Sequence, residues 1–290
     1  MQAYWLIDPT IEDPKQNLPE LGYQATHPIA IDHPDSRSYK APYLVMCPQG
    51  LAGDRLSNVL LDLAIEQSTA ASTPGEPQIR SVTALILSEA PLPVLVHGLS
   101  RAAVVRDCQR KTRVFRYWDP RLWSALHETP VLQTLLPSWR APVEWVHLDD
   151  ERATLVRHEA GGSDRPTATN TGPQQLSMPQ ESALNELSNA NRVIATVSAR
   201  QGNMAQGITR PLALDALRAV AHTPLRQPDD LIALASWRVQ TAQPIEEAPR
   251  VQNMIQQSVM HGVALDALLA ELSPQDWLAI QTTTREARRS

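Results

Sequence analysis

The chain has 290 residues, 42% of them hydrophobic, and carries a formal net charge of −5. That length supports one large domain or two modest ones around a buried core, and the composition fits an ordinary soluble protein. No apolar run approaches the roughly 18 residues a bilayer-crossing helix needs, and residues 1–8 lack the basic and apolar regions of a secretory leader, so a cytoplasmic chain with no membrane partner is expected.

Residues 3–8, 43–48 and 84–89 are short apolar runs with turn residues nearby, the pattern of buried strands. Gly50-Leu51-Ala52-Gly53-Asp54 suits a turn with Asp54 as the helix cap, and it lacks the lysine of a nucleotide-phosphate loop. Helical spacing follows over 54–70, with Leu56, Val59, Leu60, Leu63 and Ala64 on one face. It returns over 93–108 through Val94, Leu95, Leu99, Ala102 and Val105. The run 114–118 reads as a further short buried strand. Asp119-Pro120 ends it and starts a helix, because aspartate accepts bonds from free amides and proline fits the first helical turn. A guanidinium beside a buried strand needs a partner, so Arg116, Asp119 and Arg121 are expected to form an ionic lock at this corner. Residues 143–148 and 154–158 flank an acidic turn and predict a hairpin.

Strands alternating with helices predict an α/β (α+β) lobe with a central mixed sheet over residues 1–160. Residues 161–180 are rich in Ser, Thr, Pro, Gly, Asn and Gln and read as a flexible linker. Residues 181–290 turn helical, which predicts an all-α lobe with segments at 181–200, 211–222, 228–240 and 251–272. Ser273-Pro274-Gln275-Asp276 is a helix start leading through Trp277 and Ile280.

Signatures of catalysis and cofactor binding are sparse. There is no Gly-x-Ser-x-Gly elbow, no nucleotide-phosphate loop and no dinucleotide-binding glycine pattern. The eight histidines form no metal-ligating pair on a helix, so neither a metal nor a cofactor is expected. Cys47 and Cys108 have neither metal nor redox spacing and are expected as reduced thiols in or near the core. A hydrolase pairing of His97 with Ser88 or Ser100 is an alternative, although no oxyanion hole accompanies it. Between Arg101 and Arg121 lie seven cations and two acidic residues. This segment predicts a binding surface, with Arg101, Arg106, Arg110 and Arg113 as candidate protein contacts and nucleic-acid phosphates as the alternative ligand. Trp123 and Trp139 join the candidates, since Trp and Arg are favoured anchors of interfaces.

Several segments together resemble a known family. Tyr4-Trp5-Leu6-Ile7-Asp8 is followed by Ala41-Pro42-Tyr43-Leu44-Val45, a strand ending in Ser88, and a helix carrying His97 and Arg101. Phe115-Arg116-Tyr117-Trp118-Asp119-Pro120-Arg121 comes next, and Pro142 with Trp145 closes the series. This order resembles the effector chaperones, or adaptors, of bacterial type VI secretion (the Tap or TEC type), over roughly residues 3–146, with a variable helical lobe beyond. The Met260-His261-Gly262-Val263 turn is similar to that family's C-terminal helical region. The resemblance implies a non-enzymatic cytoplasmic protein that binds a secreted effector toxin and helps load it onto the VgrG spike, with no nucleic acid, membrane or cofactor involved.

Overall fold

The computed structural model describes residues 1–10, 12–18, 25–38, 40–69, 80–133, 135, 143–149, 154–160, 173–201 and 208–287. The strands are β1 (Gln2–Ile7), β2 (Thr26–Pro28), β3 (Tyr43–Met46), β4 (Val82–Ser88), β5 (Val104–Arg106), β6 (Thr112–Val114), β7 (Val143–Asp149), β8 (Thr154–Ala160) and β9 (Gln174–Gln175). The helices are α1 (Leu51–Thr69), α2 (Leu92–Ala102), α3 (Pro120–Glu128), α4 (Pro130–Gln133), α5 (Met178–Gln201), α6 (Arg210–Val220), α7 (Pro228–Thr241), α8 (Pro249–His261), α9 (Leu265–Ala270) and α10 (Pro274–Ala287). An N-terminal α+β lobe followed by a helical lobe is what the chain forms. The described residues up to 184 make a first compact unit and those from 185 a second. No helix among the described residues is long and apolar enough to cross a membrane.

Six strands of the first unit form one sheet in the order β2-β3-β1-β4-β7-β8. Every pairing in it is antiparallel, where a mixed sheet was expected. The α1 crossover does join two parallel strands, β3 and β4, but β1 lies between them and runs opposite to both. Alternating side chains give the sheet two apolar faces. Trp5, Ile7, Tyr43 and Val45 pack with Leu56, Leu60 and Ala64 of α1 on one. Tyr4, Ile86 and Trp145 share a row on the other, where Tyr117 meets Trp145 edge-on at 6.4 Å. Both faces are covered, which explains why β4 is buried or half-buried along its whole length rather than alternating between buried and exposed.

Two expected elements differ. The segment 93–108 is not one helix: α2 ends at Ala102, and Val104-Val105, two adjacent β-branched residues, enter β5. Residues 114–118 are not a strand, because β6 ends at Val114 and the chain then turns, with Tyr117 N–H donating to the Phe115 carbonyl. Phe115, Tyr117 and Trp118 are nevertheless buried.

The expected 161–180 linker also differs where it is described. Gln174–Gln175 is β9, pairing in parallel with β5, and α5 begins at Met178. The boundary between units at 184/185 therefore falls inside α5 rather than at 160 or 181. Asp54 lies in the first turn of α1 rather than capping it, and left-handed Gly50 (φ 73°) stands immediately before that helix.

The second unit packs Val193, Val197, Ala216, Val220, Leu234, Ile255 and Leu269 into one core. Ile232 to Ser236 are five consecutive buried residues, so α7 is its central helix. Asp230 in the first turn of α7 accepts from the Leu265 amide and the Ser258 hydroxyl, which fixes the start of α9. Gly262 (φ 66°) separates α8 from α9 within the segment 251–272. Ser273 and Asp276 cap α10 reciprocally, as their spacing predicts.

Candidate functional site

The seven cations of residues 101–121 divide into two groups. Arg116 and Arg121 lie inside a charged corner, while Arg101, Arg106, Arg110, Lys111 and Arg113 are exposed.

At the corner, Asp119 caps α3 by accepting the Arg121 amide at 3.0 Å. Its two carboxylate oxygens also take the Arg121 guanidinium, Nε at 2.9 Å and Nη2 at 2.6 Å. Arg116, expected to share Asp119, instead donates to Asp8 at 2.6 Å. Asp8 is 1% exposed at the end of β1, and its other oxygen accepts from the Thr10 amide and hydroxyl. The lock is thus four charges rather than three. Burial pushes the Asp119 carboxyl up, but bonds to Arg121 and the charges of Arg121 and Arg116 outweigh it and hold the group below its ordinary value. Burial pulls the Arg121 guanidinium down, yet Asp119 and then Asp8 hold it above the ordinary value. Aspartate at the end of a buried strand was the available signal for Asp8, but a partner 108 residues away leaves no trace in spacing.

All of the second group but Arg101 sit on the β5–β6 hairpin. Its loop, residues 107–111, is closed by buried Asp107, whose Oδ1 accepts from the Gln109 and Lys111 amides at 3.0 and 2.8 Å. The Asp107 backbone exchanges further bonds with Lys111 and Arg110. Asp107 Oδ2 takes Arg113 Nε at 3.2 Å. Burial raises the Asp107 carboxyl, and the Lys111 amide with the other donors brings it below its ordinary value. Cys108 is exposed rather than in the core, and its amide donates to Glu181 of α5 at 2.8 Å. His33 braces the far edge: Nε2 donates to the Thr112 carbonyl at 3.0 Å while Nδ1 accepts from the Asp35 amide. At the apex, Arg110 adopts φ 63°, the left-handed region that a branched-off Cβ disfavours. Among the described residues, Arg106, Arg110 and Lys111 have no acidic side chain within ion-pair distance.

The remaining candidates separate. Arg101 is exposed in the last turn of α2. Trp123 lies in α3 with its side chain outside the described set, and Trp139 lies outside the described residues. Ser88 is fully buried and its hydroxyl accepts from the Ala90 amide at 3.0 Å, whereas His97 is exposed on α2. No hydrogen bond among the described residues joins His97 to Ser88 or Ser100. Among the described residues no group of three His, Cys, Asp or Glu could hold a metal ion.

Comparison of the chain with protein-family models, curated proteins and solved structures gives no match.

Proposed function

We propose that this chain is a non-enzymatic adaptor of the type VI secretion kind, which binds an effector toxin in the bacterial cytoplasm and helps load it onto the VgrG spike. One observation carries the reading. Two of the segments that carry the resemblance to the adaptor family, residues 4–8 and 115–121, are bonded to each other through Asp8 and Arg116 at 2.6 Å. Motifs far apart in sequence that meet in one ionic corner act as a unit of the fold. That corner holds α3 and the preceding chain against the sheet, a rigid support for a binding surface. The exposed cationic hairpin is the surface such an adaptor would offer.

The hydrolase alternative finds less support, since the Ser88 hydroxyl is occupied in a buried turn and His97 faces solvent. Affinity purification of the tagged chain from its native host tests the proposal. One large toxin-like protein, with or without VgrG, is the expected companion. A monodisperse chain with no companion, combined with His97-dependent turnover of ester or phosphoester substrates, would overturn it.

A further inference from the structure

We infer that the β5–β6 hairpin is a docking surface for an acidic, carboxylate-rich segment of a protein partner. The inference rests on the adaptor reading for the partner's role, and on the hairpin alone for its chemistry.

Arg106, Arg110, Lys111 and Arg113 project from a single loop and its two short strands, all exposed. The carboxylates at this loop are committed elsewhere: Asp107 holds the loop closed and takes Arg113, and Glu181 of α5 accepts from the Cys108 amide. An excess of positive charge therefore stays at the tip of a chain whose net charge is −5. Unpaired cations held on a fixed backbone attract carboxylates without having to be ordered first.

Arg110 gives a second, independent reason. Its left-handed backbone is the conformation in which glycine or asparagine is comfortable, and an arginine there is held against its own preference by the Asp107 bonds. A long cation kept at a position that folding alone would give to glycine points to use of the side chain.

The geometry favours protein over nucleic acid. Each strand has three residues, so the hairpin is only about 10 Å long. Tight phosphate-backbone binding takes roughly 6–10 contacts along a continuous basic track. Here Asp35, beside His33, and Glu181 interrupt the track close to the loop. Carboxylates of a protein segment can be spaced to meet Arg106, Arg110 and Lys111 and avoid both acids. Pairs of this exposed kind steer association and release readily, which suits a carrier that hands its cargo on.

The test uses the full chain and a fluorescent Glu/Gly peptide, with its Gln/Gly counterpart and an oligothymidylate of equal length as competitors, read by anisotropy. The Glu/Gly peptide should bind with an affinity that falls with salt, and the Gln/Gly peptide should not bind. Arg106→Ala with Lys111→Ala should weaken binding roughly tenfold or more. Arg110→Gly is the sharper variant: it should weaken binding while the melting temperature stays level or rises, because glycine relieves the backbone. Equal peptide binding by wild type and variants, or no binding at all, would overturn the inference. Oligothymidylate binding more tightly than the peptide would do so too and assign the loop to nucleic acid. A host effector that binds the Arg110→Gly chain as tightly as wild type would sink the hairpin's role while leaving the adaptor reading standing.

Discussion

Asp119→Ala tests the charged corner directly. The substitution deletes a helix cap and both bonds that the Asp119 carboxylate accepts from the Arg121 guanidinium in one step. Loss of an N-cap costs about 1 kcal/mol. Removing one partner of a buried ion pair costs about 3–5 kcal/mol when the other charge stays sealed in. Arg121 keeps 23% of its side chain exposed against 9% for Asp119, so water recovers part of that loss. The expected sum is about 2–4 kcal/mol. At about 2–4 °C per kcal/mol for a unit of this size, the melting transition of the N-terminal unit should drop by roughly 5–15 °C. Trp118 is buried beside the corner and reports that transition by fluorescence. Asp119→Asn keeps a cap acceptor and loses the charge, so it should fall between wild type and alanine. A transition for Asp119→Ala within about 2 °C of wild type would refute the lock.

The same residue sets an acid dependence. Its carboxyl is held below the ordinary value in the folded chain, against about 3.9 when unfolded. Its contribution is therefore complete above pH ~3.9 and is lost as pH falls through the lower folded value. Urea midpoints below pH ~4 should fall more steeply for wild type than for Asp119→Asn; parallel slopes would contradict the assignment. Gly53→Ala should destabilise the first unit by about 1–3 kcal/mol or more, because the new Cβ would stand 1.9 Å from the Pro48 carbonyl oxygen; an unchanged urea midpoint would show that α1 can shift. Tyr117 is fully buried and its hydroxyl has no hydrogen-bond partner among the described residues, so Tyr117→Phe should be neutral or stabilising by about 1 kcal/mol in chemical denaturation, and a loss would reveal a partner. In the helical unit, Trp237 stacks on Trp277 at 4.4 Å, carries Arg200 over its ring and donates to Asp266. Trp237→Ala should cost about 2–4 kcal/mol, and Trp237→Phe distinctly less; equal losses would show that ring stacking contributes little.

What could be read from the sequence follows from local physics. β1, β3 and β4 announce themselves as apolar runs, β7 and β8 as the two flanks of an acidic turn, and Asp119 and Ser273 as caps, because each needs only its neighbours. The β5–β6 hairpin is hidden because Val105 continues the helical period of α2, and only the paired valines followed by Asp107 mark the change. β9 is two glutamines with no apolar signal, joined to β5 solely by register. For the corner, the need for charge partners was legible at Arg116 and Arg121, but the identity of Asp8 depends on the sheet assembling first.

The position of β1 has a consequence for how the molecule is made. Of the strands in this sheet β1 comes first along the chain yet lies third across it, and its neighbours are β3 at Tyr43–Met46 and β4 at Val82–Ser88. It must wait unpaired while those segments are synthesised, and it gains its Arg116 partner later still. The helical unit, built from consecutive helices, has no such delay. Refolding should accordingly show a fast phase from the helices and a slower one from the sheet, whose long-range pairings raise its entropic barrier. Deleting β1 would remove the middle of the sheet, not a dispensable edge.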